Sequence, residues 1–165
     1  MRPDEESLSE FKQNVTSTSE LVLGDNPIDF AALQAETPDA CAWIKIPDTV
    51  IDYPIMQSGP ETDEDFYLDH DRNGKSKKAG AIYIQKLNAE DFTDRNTVIY
   101  GHNMRRDDKL FGTLEQYRTV DGFKKAPLIG MSTLYGDYTF KIYAVYITNS
   151  NRSDDNGNFL NYIFT

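Results

Sequence analysis

Six short runs rich in β-branched and aromatic residues constrain this chain more than any other feature. They are "CAWIKIP" (41–47), "VIDYPIM" (50–56), "AGAIYIQ" (79–85), "NTVIYGH" (96–102), "APLIGMSTL" (126–134) and "DYTFKIYAVYIT" (137–148). Each is of strand length and bounded by turn-forming residues, the pattern of a protein built mainly of strands. Asp48-Thr49 separates the first two runs and Gly136-Asp137 the last two, so both pairs are expected to form hairpins. Short strands with turn punctuation and few helices predict a barrel or a sandwich.

Helical signals are peripheral. Ser7-x-x-Glu10 is a capping-box pattern, which places a helix near residues 7–20. "NPIDFAALQAETPDA" predicts a second short helix, opened by Asn26-Pro27 or Asp29 and closed before Pro38. In "KLFGTLEQY" (109–117), Leu110, Phe111, Leu114 and Tyr117 fall on one helical face. The tail "DDNGNFLNYIFT" is expected to be a turn opening a helix.

The chain has 165 residues, enough for one domain with a core of its own. Its formal net charge of −10 argues against nonspecific nucleic-acid binding and against a basic membrane-surface face. No stretch is long and apolar enough to span a bilayer, and "MRPDEESLSEFKQNV" lacks the basic flank and apolar middle of a signal peptide. Any membrane attachment is therefore expected only through a segment not contained in these residues. A single cysteine excludes an internal disulfide and every CxxC-type motif.

Three side chains are candidates for chemistry. His102 ends a β-rich run and enters the polar loop "NMRRDD"; a histidine there is either a packing residue or a proton-transfer group. His70, flanked by Asp69 and Asp71, matches no ligand spacing and is expected to lie in a solvated loop, with no metal or other cofactor. Cys41 has no cation beside it in sequence to lower its pKa and is expected to be a small buried hydrophobe.

The stretches "AWIKIPDTVIDYPIMQ", "FYLDHDRNGKSKKAGAIYI", "NTVIYGHNM" and "KLFGTLEQY" occur in an order and spacing that resembles the sortases, class B above all, from about residue 25 onward. The resemblance implies a sortase-like β-barrel, of which this chain contains about six of the eight strands, with N-terminal and peripheral helices. It divides the chain into an N-terminal helical segment, 1–24, and a sortase-like catalytic domain, 25–165, truncated before the nucleophile strand.

It also implies an activity: a cysteine transpeptidase at the Gram-positive cell surface that cleaves a sorting motif after threonine and joins the acyl group to an amine. The partners would be surface proteins carrying a C-terminal sorting motif and a peptidoglycan cross-bridge or pilin amine. His102, in Tyr100-Gly101-His102, takes the family's histidine role, and Leu68 falls where the family places an apolar wall of the substrate groove. The family's cysteine belongs to a T-L-S-T-C-like strand, followed by a strand bearing an arginine, and neither segment is present in these residues. Cys41 lies at the start of the barrel and does not match that motif. The 165-residue chain is therefore expected to be inactive by itself. The alternatives are a non-catalytic sortase-like module that binds a sorting peptide or partner chain, an enzyme completed by strands from another chain, and a metal-dependent hydrolase using His70 and His102.

Overall fold

Asp29 starts the first helix by accepting a hydrogen bond from the Ala32 amide at 3.0 Å, satisfying one of the free N–H groups of the opening turn. The computed structural model describes residues 28–104 and 109–146, and this helix, α1, spans Phe30–Glu36. It ends at Thr37 because Pro38 disfavours helical geometry in the residue before it. The expected helix over 7–20, the segment 1–24 and the tail helix lie outside the described residues.

All six expected strands form, and they share one sheet. They are β1 (Ala40–Lys45), β2 (Asp52–Gln57), β3 (Ile82–Ile84), β4 (Ile99–Tyr100), β7 (Leu128–Thr133) and β8 (Gly136–Lys141), in the order β4-β3-β2-β1-β7-β8. Two further short strands, β5 (Asn103–Met104) and β6 (Lys109–Leu110), pair only with each other. Every ladder is antiparallel except β2–β3, whose crossover carries a 3-10 turn at Phe66–Leu68. Pro54 is tolerated within β2 because β3 pairs only from Ile55 onward, so β2 has a single neighbour at the proline.

Alternation sorts the side chains to two faces. Ile44, Ile46, Ile51, Ile55, Ile82, Ile84 and Met131 form the main core, closed over by Phe111, Leu114, Tyr117 and Phe123. On the opposite face Met56, Tyr67, Ala81 and Tyr83 form a second cluster against Leu33, Phe66 and Tyr100. Neighbouring positions such as Ile55 and Met56 thus point to different faces, as a two-residue strand period requires.

Three local expectations are corrected. The β1–β2 connection is longer than a two-residue hairpin: Asp48 adopts a left-handed φ of 57°, and Thr49 clasps the loop by donating to Ile46 O at 2.7 Å and accepting from Ile51 N at 2.9 Å. The β7–β8 turn is Leu134-Tyr135, not Gly136-Asp137; Gly136, at φ 145°, already pairs with Thr133 and supplies the backbone freedom needed to leave the turn. The "KLFGTLEQY" stretch opens as β6 and continues as a 3-10 helix, Gly112–Arg118, with a second α-helix, α2, at Val120–Lys125. Its apolar face is as expected, because Phe111, Leu114 and Tyr117 recur every three residues, the period of a 3-10 helix.

Candidate active site

β4 delivers His102 to its position, and the chain on both sides of it is braced. Tyr100 stacks on Tyr83 of β3 with ring centroids 5.2 Å apart, and the Tyr83 hydroxyl donates to Asp65 at 3.0 Å. Gly101 is required by its neighbour: a Cβ there would stand 2.7 Å from the Phe111 ring. The Phe111 amide then donates to the His102 carbonyl at 3.1 Å. Beyond it, Asn103 pairs with Leu110 and Met104 with Lys109, while the Asn103 side chain donates to Glu115 at 3.1 Å. Leu110 has a left-handed φ of 50°, and its amide reaches the Tyr53 hydroxyl at 3.4 Å.

The His102 side chain contrasts with this fixed backbone. It is half-buried, and among the described residues its ring enters no hydrogen bond, ion pair or ring stack. A packing histidine normally satisfies its ring nitrogens. An imidazole held by its backbone, with both nitrogens uncommitted, can give or take a proton.

His70 has the opposite character. Its Nδ1 lies 2.8 Å from Phe66 O and 2.7 Å from Asp69 Oδ1, and its ring stacks on Phe66 at 4.0 Å. Both polar partners are acceptors, so Nδ1 carries a proton. The loop that follows is organised by Asp71, whose Oδ1 accepts from the amides of Asn73 and Lys75 at 2.9 and 3.1 Å. Those bonds, the Lys75 amide first, hold the Asp71 carboxyl below its ordinary range. His70 is thus a partnered structural residue and not a bare solvated one.

Leu68 ends the 3-10 turn over β3 and is 48% exposed. Its carbonyl, with that of Tyr67, sits where a Cβ on Gly80 would be, so the turn lies directly on the backbone leading into β3. No hydrogen bond or ring contact joins Leu68 to His102. Their link runs through Asp65 at the start of the turn, Tyr83 and Tyr100. This connection is invisible as a motif; only the β-strand parity of Tyr83 and Tyr100 hints at it.

Cys41 is 6% exposed in the main core and donates to Ile55 O at 3.4 Å. Burial pushes its thiol up to about 12; the backbone hydrogen bond opposes this and the Glu90 charge adds to it. At neutral pH it is a protonated thiol, the unreactive form. It lies on β1, with β2 and β3 between it and β4. Three ladder spacings amount to roughly 14 Å along the sheet, far beyond the reach of a cysteine–histidine pair.

A six-stranded, mostly antiparallel sheet with short helices at its margins defines a mainly β, half-barrel class of fold. Within that class the comparisons are specific. A family model described as the sortase domain matches residues 44–161, and the chain belongs to the sortase family. Sortase B of Listeria monocytogenes is 38% identical over 127 residues, which are 77% of this chain and 50% of that protein. The X-ray structure of Clostridium perfringens sortase B matches with a TM-score of 0.66 at 32% identity, covering 73% of this chain and 63% of the other. The structure of sortase B from Listeria monocytogenes matches with a TM-score of 0.63 at 37% identity, covering 74% and 67%. The chain spans about half the length of the curated relatives it matches.

Proposed function

We propose that this chain supplies the proton-transfer half of a class B sortase site, with His102 as its acid–base residue and Leu68 as part of the groove wall. The observation that carries the reading is the pairing of a braced backbone with an imidazole that has no hydrogen-bond partner among the described residues. In the reaction a cysteine thiolate attacks the carbonyl carbon of threonine in a sorting motif. The C–N bond breaks, the departing amine takes a proton from the imidazolium, and a thioester forms. An incoming amine attacks the thioester, gives its proton to the neutral imidazole, and the thiolate leaves. The proposed substrates are surface proteins carrying a C-terminal sorting motif and a peptidoglycan cross-bridge or pilin amine, at the outer face of the cell membrane. Among the described residues no helix is long and apolar enough to cross that membrane.

The nucleophile and the arginine that stabilises the oxyanion are proposed to lie outside these 165 residues. Buried, protonated Cys41 supports this, and it equally favours a second reading, in which the chain alone binds a sorting peptide without cleaving it. The test is to incubate the 165-residue chain with a fluorogenic sorting peptide and an amine acceptor. The expected result is no turnover; turnover that disappears in Cys41→Ala overturns the proposal.

A further inference from the structure

β8 forms one edge of the six-stranded sheet: among the described residues it pairs with β7 and with no second strand. An open edge is a template for another strand, and proteins usually blunt it with a proline, a bulge or a short length. β8 has none of these. Its six residues, Gly136–Lys141, contain no proline, and their register against β7 runs unbroken from Thr133 opposite Gly136 to Leu128 opposite Lys141.

The groups that face outward follow from the ladder. The Ile142 amide donates to Pro127 O at 2.9 Å, which continues the same register. Hydrogen-bonded pairs alternate along an antiparallel ladder, so Gly136, Tyr138 and Phe140 turn their N–H and C=O groups toward β7. Asp137, Thr139 and Lys141 turn theirs to the open edge. Side chains alternate as well. Tyr138 and Phe140 stand opposite Met131 and Ile129, on the main-core face, with ring centroids 6.3 Å apart. They are nevertheless 39% and 46% exposed. The edge thus offers backbone donors and acceptors beside a half-exposed aromatic pair.

Two copies of one strand that meet antiparallel about a two-fold axis have few registers, because outward residues must face outward residues. Centring the pair on Thr139 sets Thr139 opposite itself, Asp137 opposite Lys141 and Tyr138 opposite Phe140. Opposite charges then meet on both sides of the axis. The aromatic pairs fall at non-hydrogen-bonded positions, where side chains come closest. Moving the centre by one residue sets Asp137 or Lys141 against Thr139 and breaks the charge pairs; moving it by two sets like charges opposite each other. The chain carries a formal charge of −10, so most of its surface repels a second copy, whereas β8, with one aspartate and one lysine, is neutral.

We propose that β8 is a self-association surface, to which a second copy of this chain adds its own β8 antiparallel in the register centred on Thr139. The surface is independent of the role of His102, which follows β4 at the other edge of the sheet.

Sedimentation equilibrium of the 165-residue chain from low to high micromolar concentration, with amide hydrogen exchange at both ends of that range, tests the proposal. The expected result is a monomer–dimer equilibrium with a dissociation constant on the order of 100 µM, since one added strand is a small interface. The Thr139 and Lys141 amides should be protected only in the dimer, and those of Tyr138 and Phe140 throughout. Asp137→Lys should weaken the dimer about fivefold or more by setting lysine opposite lysine, and adding Lys141→Asp should restore it to within about twofold. Both positions are exposed, so these exchanges keep the fold. Three results would overturn the proposal: a chain that stays monomeric, a dimer indifferent to the Asp137 reversal, or protection of Thr139 and Lys141 already in the monomer, which assigns the edge to another segment of the same chain.

Discussion

The two histidines of this chain stand in loops of similar composition and are used in opposite ways. At His70 the side chain is committed: its ring nitrogen meets Phe66 O and Asp69, and its face covers Phe66. At His102 the backbone is committed, through Phe111, the β5–β6 ladder and Asn103–Glu115, while the ring has no polar partner among the described residues. A structural histidine spends its polar groups on the fold; a histidine available for chemistry is positioned by others and keeps its own groups. The glycines beside them differ in the same way. Gly101 is demanded by a neighbouring ring and Gly74 by its own left-handed φ of 71°, where a Cβ would meet only the Phe66 ring at an ordinary contact of 3.9 Å.

Four substitutions can break or sharpen this contrast. Gly101→Ala should have the largest effect, about 2–3 kcal/mol, because the new methyl must displace the Phe111 ring, and the His102 amide resonance should shift with it. Denaturant unfolding with a parallel amide spectrum measures both. His70→Ala should cost about 1–2 kcal/mol, from one part-buried hydrogen bond and one ring stack. Gly74→Ala should cost about 1 kcal/mol from backbone strain alone, and leave the spectrum around His102 unchanged. His102→Ala should be the mildest, within about 0.5 kcal/mol. If His102→Ala proves as costly as His70→Ala, the contrast is wrong and His102 is a packing residue.

Alkaline titration probes the burial of Cys41. The folded-state pKa of Cys41 lies above its unfolded value, so the folded chain retains a proton that the unfolded chain has lost. Its contribution to stability is complete below about pH 9 and declines as pH rises toward 12, at about 1.4 kcal/mol per pH unit. Burial also raises Tyr67 and Tyr83, whose hydroxyls bond Asp39 and Asp65. The slope assignable to Cys41 is therefore the part that Cys41→Ala removes.

The sheet was legible from sequence because each strand signal is local: a β-rich run, a parity and a turn. All six runs became strands, and Asp29 and Pro38 bounded α1. Turn details were less legible. Thr49 and Thr133 shape their loops through side-chain bonds that no propensity records, and the left-handed Leu110 bends the chain just where an α-helix was expected to continue. At the site, the position of His102 followed from a motif, but its surroundings did not. Tyr53 comes from β2 and Phe111 and Glu115 from the start and body of the 3-10 helix, and only folding brings them to the same loop. The partnered state of His70 was missed for a related reason: Phe66, four residues earlier, becomes its acceptor only because a 3-10 turn folds between them.

The claim that His102 is a proton-transfer group without a cysteine partner in these residues can be tested by the alkylation of Cys41 with iodoacetamide at neutral pH. The account predicts that the folded chain is labelled no faster than it unfolds, with the same slow rate in His102→Ala. Rapid labelling of the native chain that slows when His102 is removed would reveal a Cys41–His102 pair and contradict it.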